Sequence, residues 1–182
     1  MKVTPTSIPD VLLIEPQVFG DERGFFLETF QKDRYTQLGI AAEFVQDNHS
    51  GSRQGTLRGL HYQIHHTQGK LLWPVAGEIY DVAVDLRRQS PYFGKHVGLV
   101  LSAANHQQVW IPQGFAHGFY VISERAEIFY KATDLYSPID ERTLLWRDPA
   151  LGIPWPIPQG SEPILSKKDA IGKLLEEAEL FQ

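Results

Sequence analysis

Ile79-Tyr80-Asp81-Val82-Ala83-Val84-Asp85-Leu86 sets Tyr80, Val82, Val84 and Leu86 on one face of an extended chain, with Asp81 and Asp85 on the other. Successive side chains of a strand point to opposite faces, so this is a strand signal and not a helical one. Shorter runs of the same kind recur on both sides of it: residues 11–14, 17–19, 25–30, 43–48, 56–63 and 70–75 before, then 97–101, 107–111, 115–122 and 127–133 after. Turn residues punctuate them, as in Gly20-Asp21-Glu22-Arg23-Gly24, at the spacing of a sandwich or barrel. Residues 33–38 predict one short helix ended by Gly39, and residues 49–55 read as a polar loop. Residues 149–163 are rich in proline and glycine and predict an irregular segment hugging the surface. Beyond them Ile171, Leu174, Leu175 and Ala178 recur at helical spacing behind Ser166, a good N-cap. The expectation is an all-β jelly roll or sandwich with short helices, including a C-terminal helix folded against it. Residues 1–182 form a single domain in this reading.

Composition narrows the function classes. A chain of 182 residues with 42% apolar content suits one full core. Its net charge of −5 argues against a general nucleic-acid binder, which needs a basic face to neutralise phosphates. One small anion held by local cations is still compatible with that total. There is no cysteine, which removes disulfides and thiolate–metal sites. Met1-Lys2-Val3-Thr4-Pro5-Thr6 lacks the apolar core of a signal peptide, and no apolar run reaches transmembrane length. A cytoplasmic protein with no membrane partner is the expectation.

The chemistry centres on Arg58-Gly59-Leu60-His61-Tyr62-Gln63. A histidine titrates near neutrality and can accept a proton; Lys70 opens the next strand, and Asp169 in Ser166-Lys167-Lys168-Asp169 can orient a histidine. Each has an ordinary alternative. His61 can be a hydrogen-bonded core histidine. Asp169 sits three residues after Ser166, the spacing of a capping box. A carboxylate at a helix start stays ionised, so the capping and orienting roles are compatible. Tyr130 reads as a packed strand tyrosine, Tyr136 as a loop tyrosine, and Arg23 with Glu28 as a solvated pair. His61, His65, His66, His106 and His117 keep a metal site open, although His61 and His65 stand four residues apart instead of forming an alternating His-x-His pair, and no glutamate follows them closely.

Longer stretches carry more. Asp47-Asn48-His49-Ser50, Leu57 to Gln63, Gly77 to Asp85, and Trp110-Ile111-Pro112-Gln113-Gly114-Phe115-Ala116-His117-Gly118-Phe119 resemble the dTDP-4-dehydrorhamnose 3,5-epimerase family. Asp134-Leu135-Tyr136-Ser137-Pro138, Trp146-Arg147-Asp148-Pro149 and Ser166-Lys167-Lys168-Asp169 continue the match in the same order. The resemblance implies a homodimeric cupin-class jelly roll needing neither metal nor organic cofactor. It implies inversion of C3 and C5 of dTDP-4-dehydro-6-deoxy-glucose. His61 corresponds to the base, Asp169 to its carboxylate partner, Tyr130 to the acid on the opposite face, and Lys70 to the cation near O4. Arg23, Glu28, Gln46, Asn48, Arg58, His117, Glu141 and Lys168 correspond to substrate contacts, and Tyr136 to the residue stacking on thymine. Phe19 and Phe26 correspond to positions beside the nucleotide. Trp73 and Pro74 depart from the family's pattern of a basic and an aliphatic residue.

Three alternatives stay open on the residues. They are an epimerase of one carbon only, a metal-dependent cupin enzyme, and a non-catalytic sugar-nucleotide binding module. One geometric expectation comes from parity. In a regular strand Arg58 and His61 point to opposite faces, yet the resemblance places both at one ligand. Gly59 between them predicts a bulge, or else an arginine reaching around a strand edge.

Overall fold

The computed structural model describes residues Met1–Gln182. The strands are β1 (Lys2–Pro5), β2 (Leu12–Glu15), β3 (Val18–Asp21), β4 (Gly24–Leu27), β5 (Gln46–Arg53), β6 (Leu57–Gln63) and β7 (Lys70–Ala76). They continue with β8 (Glu78–Asp85), β9 (His96–Ser102), β10 (Gln108–Ile111), β11 (Phe115–Val121), β12 (Arg125–Ala132) and β13 (Glu141–Thr143). Two short helices interrupt them, α1 (Lys32–Gln37) and α2 (Lys167–Ala170), with a 3-10 turn at Leu175–Glu177. One sheet runs β1-β2-β10-β7-β12-β5 and the other β13-β6-β11-β8-β9, while β3 and β4 form a separate hairpin. All ladders between these strands are antiparallel.

The two sheets face each other. Leu72, Val109 and Ile128 from one meet Ile79, Val97, Phe119 and Val121 from the other in a single apolar layer. Each such side chain contributes about 1.5–3 kcal/mol when taken from water. Both outer faces are covered as well. Helix α1 and its flanks place Tyr35, Ile40, Phe30 and Phe44 against Ile14 and Leu71. The C-terminal segment lays Leu151, Trp155, Ala178 and Phe181 over Leu60, Val82, Val84 and Leu86. Strand β8 is therefore buried on both sides. Its Tyr80, Val82, Val84 face lies under the C-terminal segment, and its Ile79, Asp81, Ala83 face looks into the sandwich. The acidic face of the clearest strand in the sequence is thus an inner face.

Two expectations need correction. Residues 49–53 are strand and not loop, with β5 pairing β12 from Gln46↔Ala132 to Arg53↔Arg125, so the expected loop shrinks to the turn at Gln54 and Gly55. The polar composition of β5 hides it, because it is an edge strand with no fully buried residue. The expected C-terminal helix is a single turn, α2, followed by extended chain and the 3-10 turn. Ser166 does cap α2, accepting from the Asp169 N–H. The backbone then turns to the sheet edge, where Lys173 N–H donates to Thr143 (3.0 Å) and Leu145 N–H to Lys173 (2.8 Å). Gly172 makes the approach possible, since a Cβ there falls 2.6 Å from the Leu144 carbonyl carbon. Sheet-edge hydrogen bonds replace those of a helix, and Ile171 is left exposed.

Pro74 fits a central strand for a local reason. β10 pairs with β7 only across Lys70–Leu72, so that side of Pro74 lacks a ladder partner to satisfy. On the other side Val75 is looped out, with Glu127 opposite Ala76 and Ile128 opposite Pro74.

The expected irregularity at Gly59 is present. β6 and β11 pair His61 with His117 but Arg58 with Phe119, so β6 carries one extra residue there. Gly59 has φ +123°, and a Cβ on it falls 2.5 Å from Gly118 Cα and 2.7 Å from the His117 carbonyl oxygen. Gly59→Ala is expected to destabilise the fold by about 2–4 kcal/mol through strain and overpacking, measured by urea unfolding. An unchanged midpoint sinks this account of the bulge.

Candidate active site

The bulge turns both Arg58 and His61 toward a cavity of about 390 Å³ between the two sheets. Parity places the rest. Gln46, Asn48 and Ser50 alternate inward from β5, Lys70 and Leu72 from β7, and Ile128 and Tyr130 from β12. The facing sheet supplies His61, His117 and Glu141 from β6, β11 and β13. Helix α2 closes the wall with Lys168 and Asp169. The cavity therefore has a histidine and a tyrosine on opposite sheets.

His61 and Asp169 meet, with Nε2 and Oδ1 2.6 Å apart. Asp169 is almost fully buried, which works against ionisation. Hydrogen bonds from His61 and from the Ser166 hydroxyl (2.6 Å) outweigh that and hold its carboxyl below the ordinary range. The Gly59 N–H adds a long contact at 3.4 Å. An ionised carboxylate only accepts, so the imidazole proton lies on Nε2 and Nδ1 carries the lone pair. That is a base held in one tautomer.

Lys70 lies deep in the protein, yet its side chain opens onto the cavity. Burial pushes its ammonium down to about 8, against the opposing pull of Asp81 and Glu141. Burial raises the Tyr130 phenol above its usual value, and nearby Arg58 and Lys168 limit the rise. The phenol thus stays a donor through the neutral range. Glu141 is desolvated, but Lys168 at 2.7 Å keeps it ionised below the usual range. The Tyr136 hydroxyl also reaches Glu141, at 3.2 Å.

A chain of amides orients the far end. Tyr136 N–H donates to Gln46 Oε1 (2.9 Å), and Gln46 Nε2 donates to Asn48 Oδ1 (2.9 Å). Asn48 Nδ2 then has no protein partner although it is buried. Such a donor is unfavourable unless something else accepts from it. Arg58 is steadied by Ser52 Oγ (3.0 Å) and the Gly51 carbonyl (3.3 Å).

Four expected site residues lie elsewhere in this chain. Phe19, Arg23 and Phe26 sit on the exposed β3–β4 hairpin and line a separate shallow cavity. Arg23 there pairs with Asp21. Glu28 lies 3.2 Å from Arg34, outside the cavity of His61, with that oxygen not aligned for a hydrogen bond. The sequence reading also missed residues. Gln68 and Ser50 line the cavity, and Asp81 stands behind it, 2.7 Å from His117. The available signal for Asp81 was an acidic residue flanked at i±2 by Ile79 and Ala83. His65 and His66 are exposed, and no group of three or more histidine, aspartate or glutamate side chains is placed to hold a metal ion.

Comparison with known proteins gives a consistent result. The family model described as dTDP-4-dehydrorhamnose 3,5-epimerase matches residues 5–177. The chain is 54% identical over 182 residues to the dTDP-4-dehydrorhamnose 3,5-epimerase of Pseudomonas aeruginosa, covering 100% of this chain and 99% of that protein. It is 54% identical to the enzyme of the same name from Salmonella typhimurium, with 100% of each chain covered. Among solved structures it is similar to the dTDP-6-deoxy-D-glucose-3,5-epimerase of Legionella pneumophila in complex with dTDP-4-keto-L-rhamnose. That likeness has a TM-score of 0.95 at 52% identity, covering 98% of this chain and 94% of that one.

The donor set makes one prediction about metal. Dialysis against EDTA is expected to leave the thermal midpoint unchanged, because no cluster of ligands is there to lose an ion. A fall in the midpoint reversed by one divalent ion would instead support the metal-dependent alternative.

Proposed function

This chain belongs to the dTDP-4-dehydrorhamnose 3,5-epimerase family, and we propose on that premise that it inverts C3 and C5 of dTDP-4-dehydro-6-deoxy-D-glucose to give dTDP-4-dehydro-L-rhamnose. The observation that carries the mechanism is the placement of the His61–Asp169 pair and Tyr130 on opposite sheets around one cavity. Inversion at carbon needs a base on one face of the sugar and an acid on the other.

Both epimerised carbons flank the C4 ketone, so loss of either proton leaves an enolate. His61 Nδ1 takes the proton as the C–H electron pair moves into the ring and the carbonyl π pair onto O4. Asp169 holds the imidazolium that forms. The ammonium of Lys70 stabilises the growing charge on O4. Tyr130 O–H then delivers a proton to the same carbon from the opposite side. His61 returns its proton to solvent and the phenolate takes one back, so each round is a net isomerisation with no redox change. A second round at the other carbon completes the product. Arg58 and Lys168 suit the diphosphate, Asn48, Gln46 and His117 suit the sugar hydroxyls, and Tyr136 offers an exposed ring for thymine to stack on.

Phe19, Arg23, Phe26 and Glu28 belong to this reading through a second copy. In a homodimer a hairpin seated across the partner's cavity would bring its aromatic edge to the nucleotide. The strong exposure of Phe19 and Phe26 supports that arrangement. No helix is long and apolar enough to cross a membrane, which is compatible with the cytoplasmic placement proposed.

NMR of the substrate with enzyme in deuterated water tests the reading, with incorporation at both C3 and C5 as the expected result. Exchange at one carbon alone would instead identify a single-carbon epimerase, and binding without exchange a non-catalytic module. His61→Asn is expected to lower exchange at both carbons by about 10²–10⁴-fold while dTDP binding by calorimetry stays near normal. Near-normal turnover in that variant rejects the base assignment. Tyr130→Phe should lose inversion more than abstraction, so deuterium enters with retention while product yield falls. Equal loss of both would leave Tyr130 as packing only.

A further inference from the structure

We propose that Gln63 is a positioning residue for nucleotide binding: its buried amide clips the loop that carries Tyr136, and so holds the ring that receives thymine in register with His61. The inference rests on the epimerase reading of the cavity and adds to it a residue that touches no substrate.

Residues 133–140 connect β12 in one sheet to β13 in the other, and Tyr136 from this loop lines the cavity. Gln46 of β5 holds the loop from the first sheet, accepting from the Tyr136 N–H at 2.9 Å. Gln63 of β6 holds it from the second. Its Oε1 accepts from the Ser137 N–H at 2.8 Å. Its Nε2 donates to the Leu135 carbonyl at 3.1 Å and to the His66 carbonyl. The amide is thus engaged wholly by main chain, at Leu135 and Ser137 on either side of Tyr136 and at His66. Only 5% of Gln63 is exposed, and it does not line the cavity. The Ser137 end is stiffened further: Ser137 Oγ donates to Asp140 Oδ2 at 2.6 Å, and the Ser137 carbonyl accepts from the Asp140 N–H at 3.1 Å.

A buried amide that satisfies loop carbonyls is first of all a stabilising device. The ring it flanks gives it a further consequence. Tyr136 is 51% exposed, and its side chain makes one protein hydrogen bond, from its hydroxyl to Glu141 at 3.2 Å. The ring therefore takes its position from its backbone, and that backbone is held by Gln63 and Gln46. Strand β6 joins this position to the chemistry. Gln63 pairs with Glu141 and His61 with Thr143 in a regular β6–β13 ladder, so Gln63 and His61 share a face of β6 about 7 Å apart. Thymine stacked on Tyr136 is then held in register with a sugar carbon at His61 Nδ1. Loss of the clip frees the ring without moving the imidazole. The consequence is weaker nucleotide binding with proton abstraction nearly unchanged.

The test measures dTDP affinity by calorimetry in wild type, Gln63→Met, Tyr136→Ala and the double variant. Methionine keeps the length of the side chain and removes its hydrogen bonds. Gln63→Met is expected to weaken dTDP binding by about tenfold, and Tyr136→Ala by about 10–100-fold. In the double variant Gln63→Met should add less than about twofold to the Tyr136→Ala loss, because it acts through the ring. KM for the sugar nucleotide should rise about tenfold in Gln63→Met, with kcat within about twofold of wild type. An equal loss from Gln63→Met with and without the ring overturns the proposal, since it would mean altered packing. Unchanged dTDP affinity in Gln63→Met, or a fall in kcat at constant KM, overturns it as well. If Tyr136→Ala leaves dTDP affinity unaffected, the proposal falls together with thymine stacking on Tyr136. Should Gln63→Met fail to fold, hydrogen exchange of the Ser137 amide in wild type decides. Protection supports the clip, and exchange at the rate of an unstructured peptide overturns it. A wild-type enzyme that exchanges no substrate hydrogen, with Gln63 and Tyr136 still coupled in dTDP binding, would reject the epimerase reading and still support the positioning role.

Discussion

The contact between Gly59 and the backbone of His117 and Gly118 governs the site. With a Cβ at residue 59 excluded by main-chain atoms at 2.5 and 2.7 Å, strands β6 and β11 approach more closely there than side chains permit elsewhere. The extra residue in β6 reverses the parity of everything before it, so Arg58 and His61 share a cavity that a regular strand would divide between them. The same glycine offers its N–H to Asp169, which ties the bulge to the helix that carries the carboxylate. Base, cation and orienting acid are therefore set by one backbone feature.

Much of this is legible in the chain. Period-two runs announce the sandwich, and the clash of parity between Arg58 and His61, with glycine between them, announces the bulge. The limits have physical causes. Strand β5 escapes a hydrophobic reading because its inward residues, Gln46, Asn48 and Ser50, face a polar cavity instead of a core. The C-terminal pattern of Ile171, Leu174, Leu175 and Ala178 looks helical, and Leu175 and Ala178 do pack inward, yet Gly172 and the edge of β13 claim the backbone. Asp81 is hidden by the assumption that a charged face is a wet one, which fails when both faces of a sheet are covered.

That double covering also explains the electrostatics. A sandwich closed outside by α1 and by the C-terminal segment excludes water from the ends of its inner strands. Charges there shift strongly: Lys70 is pushed down to about 8 and the Tyr130 phenol is raised, each by burial first. Asp169 shows the opposite outcome, since its partners are close enough to overcome the same burial. Ionisation inside the cavity is decided by which groups have a hydrogen-bonded neighbour. The net charge of the whole chain has little bearing on it.

Asp169 lies 108 residues downstream of His61. On a ribosome the strands that form most of the sandwich emerge well before that carboxylate does. A nascent chain can thus build the cavity, with its lysine and tyrosine, while the imidazole still lacks its orienting partner. The catalytic pair is completed by a single helical turn, and a chain interrupted before that turn would lose both the carboxylate and the Ala178 and Phe181 side chains that cover Val82 and Val84.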